Sequence, residues 1–311
     1  MTTYKEINGT NIEAVASDPS NPVEGQVWYN TTSNTVKANF IDPGSWSTGG
    51  SLNTARSYLG SAGSQTAGLA FGGSPGVALT EEYNGTAWTE NNDMNTARER
   101  LAGCGTQTAA LAIGGNIPTG AVEIYNGTDW SSVTSINTVR YGLAAAGTQT
   151  LALAFGGLLF PPNAQTAITE LYNGTNWTEV NDLNTARGEL AGCGATNTAS
   201  LAFGGDAAPK SQTELWNGTN WTEVNDLNTG RNRLAGAGIS TAALAFGGDP
   251  TTAITESWNG TNWTEVNDMG TARAELAGTG TQTAALAIGG GVSTATEEWN
   301  VGPATVTFDV S

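Results

Sequence analysis

The side chains with the most chemical capacity in this sequence recur in fixed register. An arginine stands at Arg56, Arg98, Arg140, Arg187, Arg231 and Arg273, and each is followed by a glutamate, at Glu81, Glu123, Glu170, Glu214, Glu256 and Glu297. Guanidinium and carboxylate form strong charge-assisted hydrogen bonds, so the two series predict a structural ladder of ion pairs linking repeated units. The other reading, a ring of charges that binds substrate, is disfavoured because active sites are rarely six-fold identical. Glu179 with Asp182, Glu223 with Asp226, and Glu265 with Asp268 offer carboxylates of the kind used in glycoside cleavage or weak calcium contacts. Their repetition points to solvated surface. The chain has no histidine, which removes the commonest general base and catalytic metal ligand. No catalytic residue, metal site or cofactor is expected. Cys104 and Cys193 cannot form a disulfide framework or a four-cysteine zinc site; they occupy equivalent positions in non-adjacent repeats and read as small fillers too far apart to bond.

The elements that position these groups must be built from a narrow alphabet. Of 311 residues, 42 are glycine, 38% are hydrophobic and only 13% are charged, so Thr, Asn and Ser carry the solvated surface and long charged helices are excluded. A formal net charge of −17 repels nucleic-acid phosphates and anionic membranes. The opening MTTYKEINGT has neither a basic start nor an apolar stretch, and no run of about 18 apolar residues follows; no membrane insertion or classical secretion is expected.

Internal repetition sets the architecture. The tetrapeptide NTAR, or a variant of it, ends at each of the six arginines, at spacings of 42, 42, 47, 44 and 42 residues. Each unit then passes through a stretch such as LAGCGTQTAALAIGG, crosses a variable loop, reads T-E-x-[YW]-N-G-T-x-W and ends in a segment such as TEVNDLNTAR. In the second unit, Leu101 to Gly105 and Thr108 to Ile113 predict two strands, the second ended by Gly114 and Gly115. Glu123, Tyr125 and Trp130 frame a third and a fourth strand joined at Asn126-Gly127, a dipeptide favoured in two-residue hairpins where both positions take positive φ. A helix would have to absorb paired glycines at about 1 kcal/mol each. Four strands in a period of about 40 to 50 residues indicate an all-β chain folded as a β-propeller.

The glycine doublets at 72–73, 114–115, 156–157, 204–205, 247–248 and 289–290 are followed by Tyr83, Tyr125, Tyr172, Trp216, Trp258 and Trp299, and then by Trp88, Trp130, Trp177, Trp221 and Trp263. In this register the units resemble kelch repeats. The resemblance implies a six-bladed kelch-like β-propeller over residues 41–311, with a short N-terminal β-hairpin extension in residues 1–40. It does not extend to the kelch-fold oxidases similar to galactose oxidase, which need histidine ligands. The last unit lacks the fourth-strand tryptophan. Either the segment around Trp46 supplies that strand and closes the ring, which is the expectation, or Thr305 to Val310 complete the last blade themselves.

If sameness is scaffold, recognition belongs where the copies differ. The segments after the glycine doublets vary, at 74–79, 116–121, 158–168, 206–212 and 249–254, and an antiparallel blade places them on one face. There Leu158, Leu159, Phe160, Pro161 and Pro162 form an apolar insertion suited to a protein interface or an aromatic-assisted sugar contact, unless Phe160 folds back over its own blade. Asp206, Lys210 and Asp249 are polar loop residues suited to a neutral glycan.

The stretch NPVEGQVWYNTTSNTVKANF predicts a hairpin with Val27, Trp28 and Tyr29 on one arm and Thr35 to Phe40 on the other. Such a hairpin is marginal alone and is expected to dock on another protein, on its own propeller or in a homo-oligomer. Gly25, Gln26, Trp28, Tyr29 and Asn30 resemble N-terminal attachment segments of tailed-bacteriophage tail and fibre proteins, and the NTAR and GTQTA repeats resemble kelch-like virion proteins of marine phages. The resemblance implies a virion structural protein of the tail or an appendage, made in the host cytoplasm. Residues 1–40 would attach it to other virion proteins, and the loop face would meet a host-surface glycan or protein. A purely architectural virion subunit and a polysaccharide-degrading enzyme are the other readings.

Overall fold

The structure, a computed structural model, describes residues 12–20, 25–41 and 43–308. Residues 1–11 and 21–24 of the expected attachment segment, and Val310 of the expected C-terminal strand, lie outside the described residues. No helix occurs among the described residues, and the chain divides into two compact units, residues 45–300 and residues 1–44 with 301–311.

The larger unit is a series of four-stranded antiparallel sheets, one per repeat. The first comprises Gly60–Ser64, Ala67–Phe71, Thr80–Tyr83 and Trp88–Asn91. The next four lie within 102–133, 144–180, 191–223 and 235–266. Burial explains the residue types: the second strand of each sheet is built of apolar and small residues because both its faces are covered, whereas the fourth strand of the first five buries its tryptophan and leaves the residues after it largely to solvent. In the last sheet Ala277–Gly280, Ala284–Ile288 and Thr296–Asn300 are joined by Ser45–Thr48 from the start of the chain. Trp46 stands opposite Trp299, their ring centroids 5.5 Å apart. The C-terminal strand Pro303–Phe308 pairs instead with Thr35–Ile41, so the chain's last strand belongs to the smaller unit.

The Asn-Gly hairpins differ from the two-residue turns expected. Tyr83 pairs with Trp88 across a four-residue loop in which only Gly85 has positive φ. Asn84 acts through its side chain, its Oδ1 accepting the N–H groups of Thr86 (3.0 Å) and Ala87 (2.9 Å). The amide that competes for backbone donors caps the loop from inside, which a primed turn does not require. Asn126, Asn173, Asn217 and Asn259 repeat the arrangement.

Recurring side chains join successive sheets. The fourth-strand tryptophan donates its indole N–H to the Thr heading the third strand of the preceding sheet, as from Trp130 to Thr80 (2.9 Å), Trp221 to Thr169 (3.0 Å) and Trp263 to Thr213 (3.1 Å). Trp46 reaches Thr255 (3.0 Å), and Trp88 of the first sheet reaches Thr296 of the last (3.1 Å), making those two sheets neighbours. Turn glutamines add a second link, from Gln107 to Tyr83 O (2.7 Å) and from Gln65 to Trp299 O (2.5 Å). Where the second repeat has Val122 instead of Thr, Trp177 donates to the carbonyl of Thr134.

In the smaller unit the expected hairpin, Val27–Asn30 with Thr35–Ile41, is flanked by Glu13–Val15 on one side and Pro303–Phe308 on the other. The marginal hairpin thus gains neighbours from the chain's own two ends. Asp18 accepts from Trp28 Nε1 (2.9 Å), Asn30 Nδ2 (2.7 Å) and Lys37 Nζ (2.6 Å). Lys37 first, then Trp28 and Asn30, hold its carboxyl at about 2, below the ordinary 3.8.

Two outcomes are expected. A depressed pKa contributes stability that is present above the unfolded value and lost as pH falls through the folded one. Protection of the Trp28 indole N–H, followed by NMR, should therefore hold above pH 3.8 and vanish as pH falls toward about 2. Asp18→Asn should abolish that dependence; an unchanged acid profile would remove Asp18 from the account. For the larger unit, residues 45–300 alone should fold. A chain beginning at residue 50 bares the Thr296–Asn300 edge and loses the contacts of Trp46 with Phe246 and Trp299, so its denaturant midpoint should fall by the equivalent of about 3 kcal/mol.

Candidate functional site

Each arginine sits in the connector before a first strand, with its side chain fully or almost fully buried. Arg56 donates through Nη1 to Gly72 O (3.1 Å) and Leu79 O (2.8 Å) and through Nη2 to Glu81 Oε1 (2.6 Å), an arrangement that Arg273 repeats, whereas Arg98, Arg140, Arg187 and Arg231 reach a second-strand carbonyl. The six Arg–Glu distances run from 2.5 to 3.2 Å. Arg187 and Glu214 are 3.1 Å apart but misaligned, an ionic contact without a hydrogen bond. Burial pushes the guanidinium pKa values down, and the glutamates oppose it. The second glutamate oxygen holds the connector, accepting from Asn53 N (2.7 Å) and Nδ2 (2.9 Å) in the first repeat; in the last repeat, where Gly270 replaces the Asn, its N–H alone donates.

These pairs do not bridge neighbouring sheets: every arginine meets the glutamate of its own repeat. The step between repeats runs through the arginine backbone. The second glycine of each doublet donates to the carbonyl of the next arginine, from Gly73 to Arg98 (2.9 Å) through to Gly290 to Arg56 (2.9 Å).

Two residues after each arginine the backbone turns left-handed, at Tyr58, Arg100, Gly142, Glu189, Arg233 and Glu275, with φ between 52° and 63°. Each of these N–H groups donates to the carbonyl of its counterpart one repeat earlier, at 2.8 to 2.9 Å, and the bond from Tyr58 to Glu275 completes the circle. Their side chains surround a cavity of about 90 Å³ floored by the leucines that follow. Tyr58 donates to Glu275 Oε1 (2.6 Å), Arg233 reaches the same oxygen (3.3 Å), Arg100 pairs with Glu189 (2.6 Å), and the Arg100 guanidinium lies 4.1 Å from the Tyr58 ring centroid. Burial raises the Glu189 pKa against the opposing pull of Arg100 and Arg233.

This circle shares one end of the sheets with the variable loops, since first strands begin where second strands finish. Leu158 and Leu159 pair with Tyr141 and Arg140, and the Phe160 ring packs edge-on against Tyr141 at 6.2 Å. The three are half-buried and Pro161 and Pro162 exposed, so the apolar insertion largely covers itself. Asp206 is half-buried and accepts from Gly188 N (2.7 Å); Lys210 on the same loop and Asp249 on the next are also half-buried. In the smaller unit Val27 and Tyr29 are half-buried, and Trp28 is wholly buried and hydrogen-bonded to Asp18, which withdraws its ring from any attachment surface. Cys104 and Cys193 are free thiols, with Cys104 Sγ donating to Thr148 O (3.8 Å), on a cavity of about 330 Å³ lined with glycines and small residues at the other end of the first strands; burial pushes both up to about 12.

Comparison of the chain with protein-family models and with curated proteins gives no match. Chemically, the arrangement is a repeated, internally neutralised scaffold carrying one unrepeated end. Sequence reasoning passed over Tyr58, Arg100, Glu189, Arg233 and Glu275, because their side chains share nothing; the signal was variability at a fixed offset from an invariant arginine.

Replacing Glu170 by Gln leaves the wholly buried Arg140 without its counter-charge and should cost about 3–5 kcal/mol in urea unfolding. Arg140→Met with Glu170→Leu should recover most of it. A double variant as unstable as the single would mean that the pair's value lies in attraction rather than in mutual neutralisation.

Proposed function

We propose that the larger unit is a six-bladed kelch-like β-propeller and that the protein is a virion component of a tailed bacteriophage, in the tail or an appendage, presenting its variable loop face to the host surface. The observation that carries this reading is the confinement of difference. Four-stranded sheets and buried pairs recur in all six repeats and the Asn-Gly hairpin in the first five, while the loops after the glycine doublets and the six residues of the hydrogen-bonded circle, all at one end of the sheets, do not recur. Repetition through sheet neighbours that return from the last to the first supports the closed ring. Attachment through the smaller unit is supported by its build, a sheet that gathers strands from both ends of the chain. The buried Trp28 moves the attachment surface to other residues of that unit.

Labelled full chain should decorate cells of the bacterium infected by a phage that encodes it, and antibody against the chain should mark the tail region of that particle in electron micrographs. Labelling of the particle with no binding to cells would make it an architectural subunit. Loss of a host polysaccharide during incubation would make it an enzyme.

A further inference from the structure

Between the loops of the fifth and sixth repeats lies a cleft of about 430 Å³, within the range of small-molecule sites. Its walls carry two carboxylates, Asp249 and Glu275, and three hydroxyls, Thr251, Thr271 and Ser293. Glu275 commits Oε1 to Tyr58 and Arg233, and among the described residues none hydrogen-bonds the Asp249 carboxylate. Arg273 brings no free cation to the cleft, because its guanidinium is bound to Gly289 O, Ala295 O and Glu297. Between two lining residues, Gly291 and Ser293, stands Val292, 64% exposed with φ 56°. A β-branched residue in that region is an outlier, and strain of this kind gathers at ligand sites.

This mixture selects its ligand. Carboxylates accept from vicinal hydroxyls through charge-assisted bonds, and the threonine and serine hydroxyls both donate and accept. The exposed Val292, next in the chain to the lining residues Gly291 and Ser293, offers an apolar side chain suited to the C–H face of a pyranose. The two carboxylates, in a chain of net charge −17, oppose acidic sugars. We propose that the cleft binds one uncharged pyranose unit, Asp249 and Glu275 accepting from its hydroxyls and Val292 covering its C–H face. The proposal deepens the host-recognition reading and rests on it.

The test is saturation-transfer NMR and calorimetry on the full chain with the methyl glycosides of glucose, galactose, mannose and N-acetylglucosamine, against glucuronic and N-acetylneuraminic acids. At least one neutral glycoside should bind with millimolar Kd, and the acids about ten-fold more weakly or not at all. Asp249→Ala should weaken the neutral sugar about ten-fold or more and Val292→Gly by less, with no fall in melting temperature. If Asp249→Ala melts lower, Asp249→Asn, which keeps the shape and removes the charge, should give the same loss. No binding by any neutral glycoside, binding that survives both Asp249 variants, or preference for the acids overturns the proposal. Cell binding indifferent to Asp249→Ala would remove the cleft and leave host recognition standing. Sugar binding lost in that variant, in a chain that binds no cells, would do the reverse.

Discussion

A guanidinium taken out of water needs compensation on every side, and in this protein meeting that need organises the repeat. Arg56 holds the carbonyls of Gly72 and Leu79, the residues on either side of a variable loop, and simultaneously Glu81 on the strand that follows it. Arg273 does the same with Gly289, Ala295 and Glu297. In the first and last repeats the loop is therefore pinned at its base by a side chain it does not contain; Arg98 and Arg140 hold instead a second-strand carbonyl and the glutamate. Each buried arginine also leaves its Nε–H without a protein acceptor. Such a pair adds little net stability over a well-packed apolar substitute, and its value lies in fixing which backbone groups meet. Scaffold and recognition are separated by that one contact.

The hydrogen-bonded circle works by the same separation. Its members adopt the left-handed conformation so that N–H and C=O can reach the adjacent repeats, at about 1 kcal/mol for each residue bearing a Cβ. Because the backbone makes the bonds, the side chains are released from them. Tyr58, Arg100, Glu189, Arg233 and Glu275 can then pair among themselves in a pattern that is not repeated, which is how a near-symmetric body acquires an asymmetric centre.

What the sequence made legible was whatever repeats in side-chain chemistry. Apolar runs bounded by glycine doublets marked the strands, and a stranded tryptophan at Trp46 marked the fourth strand that the last repeat lacked. Features set by the backbone were opaque. Asn-Gly suggested a primed turn because the dipeptide does not reveal whether the asparagine side chain or its φ makes the bend. Position two after the arginine reads as Tyr, Arg, Gly, Glu, Arg and Glu, with Gly142 alone hinting at the shared φ. Pairing between distant ends, as of Pro303–Phe308 with Thr35–Ile41, carries no local signature in either strand. The hydrogen bond that holds the buried Trp28 likewise runs to Asp18, ten residues earlier and outside the hairpin pattern.

The terminal repeats bear on whether the array is open or closed. Open repeat arrays need atypical end units with a polar outer face, since an end repeat has a neighbour on one side only. The first and sixth repeats here keep the buried arginine–glutamate pair and the backbone bonds of the others, the sixth with a fourth strand taken from Ser45–Thr48. Trp88 lies buried with its indole on Thr296, Gln65 reaches Trp299, and Tyr58 completes the backbone circle at Glu275. Each end unit covers the other, and the strand that makes this possible is donated from the opposite end of the unit's sequence, at Ser45–Thr48. In the proposed closed ring, unfolding of one repeat would uncover two neighbours wherever it began, and no repeat would have an end position at which to fray. That is the cooperativity expected of the proposed propeller, and it accounts for arginine and glutamate positions that stay filled in the first and last repeats as in the middle ones, with Trp46 supplying the fourth-strand tryptophan of the last.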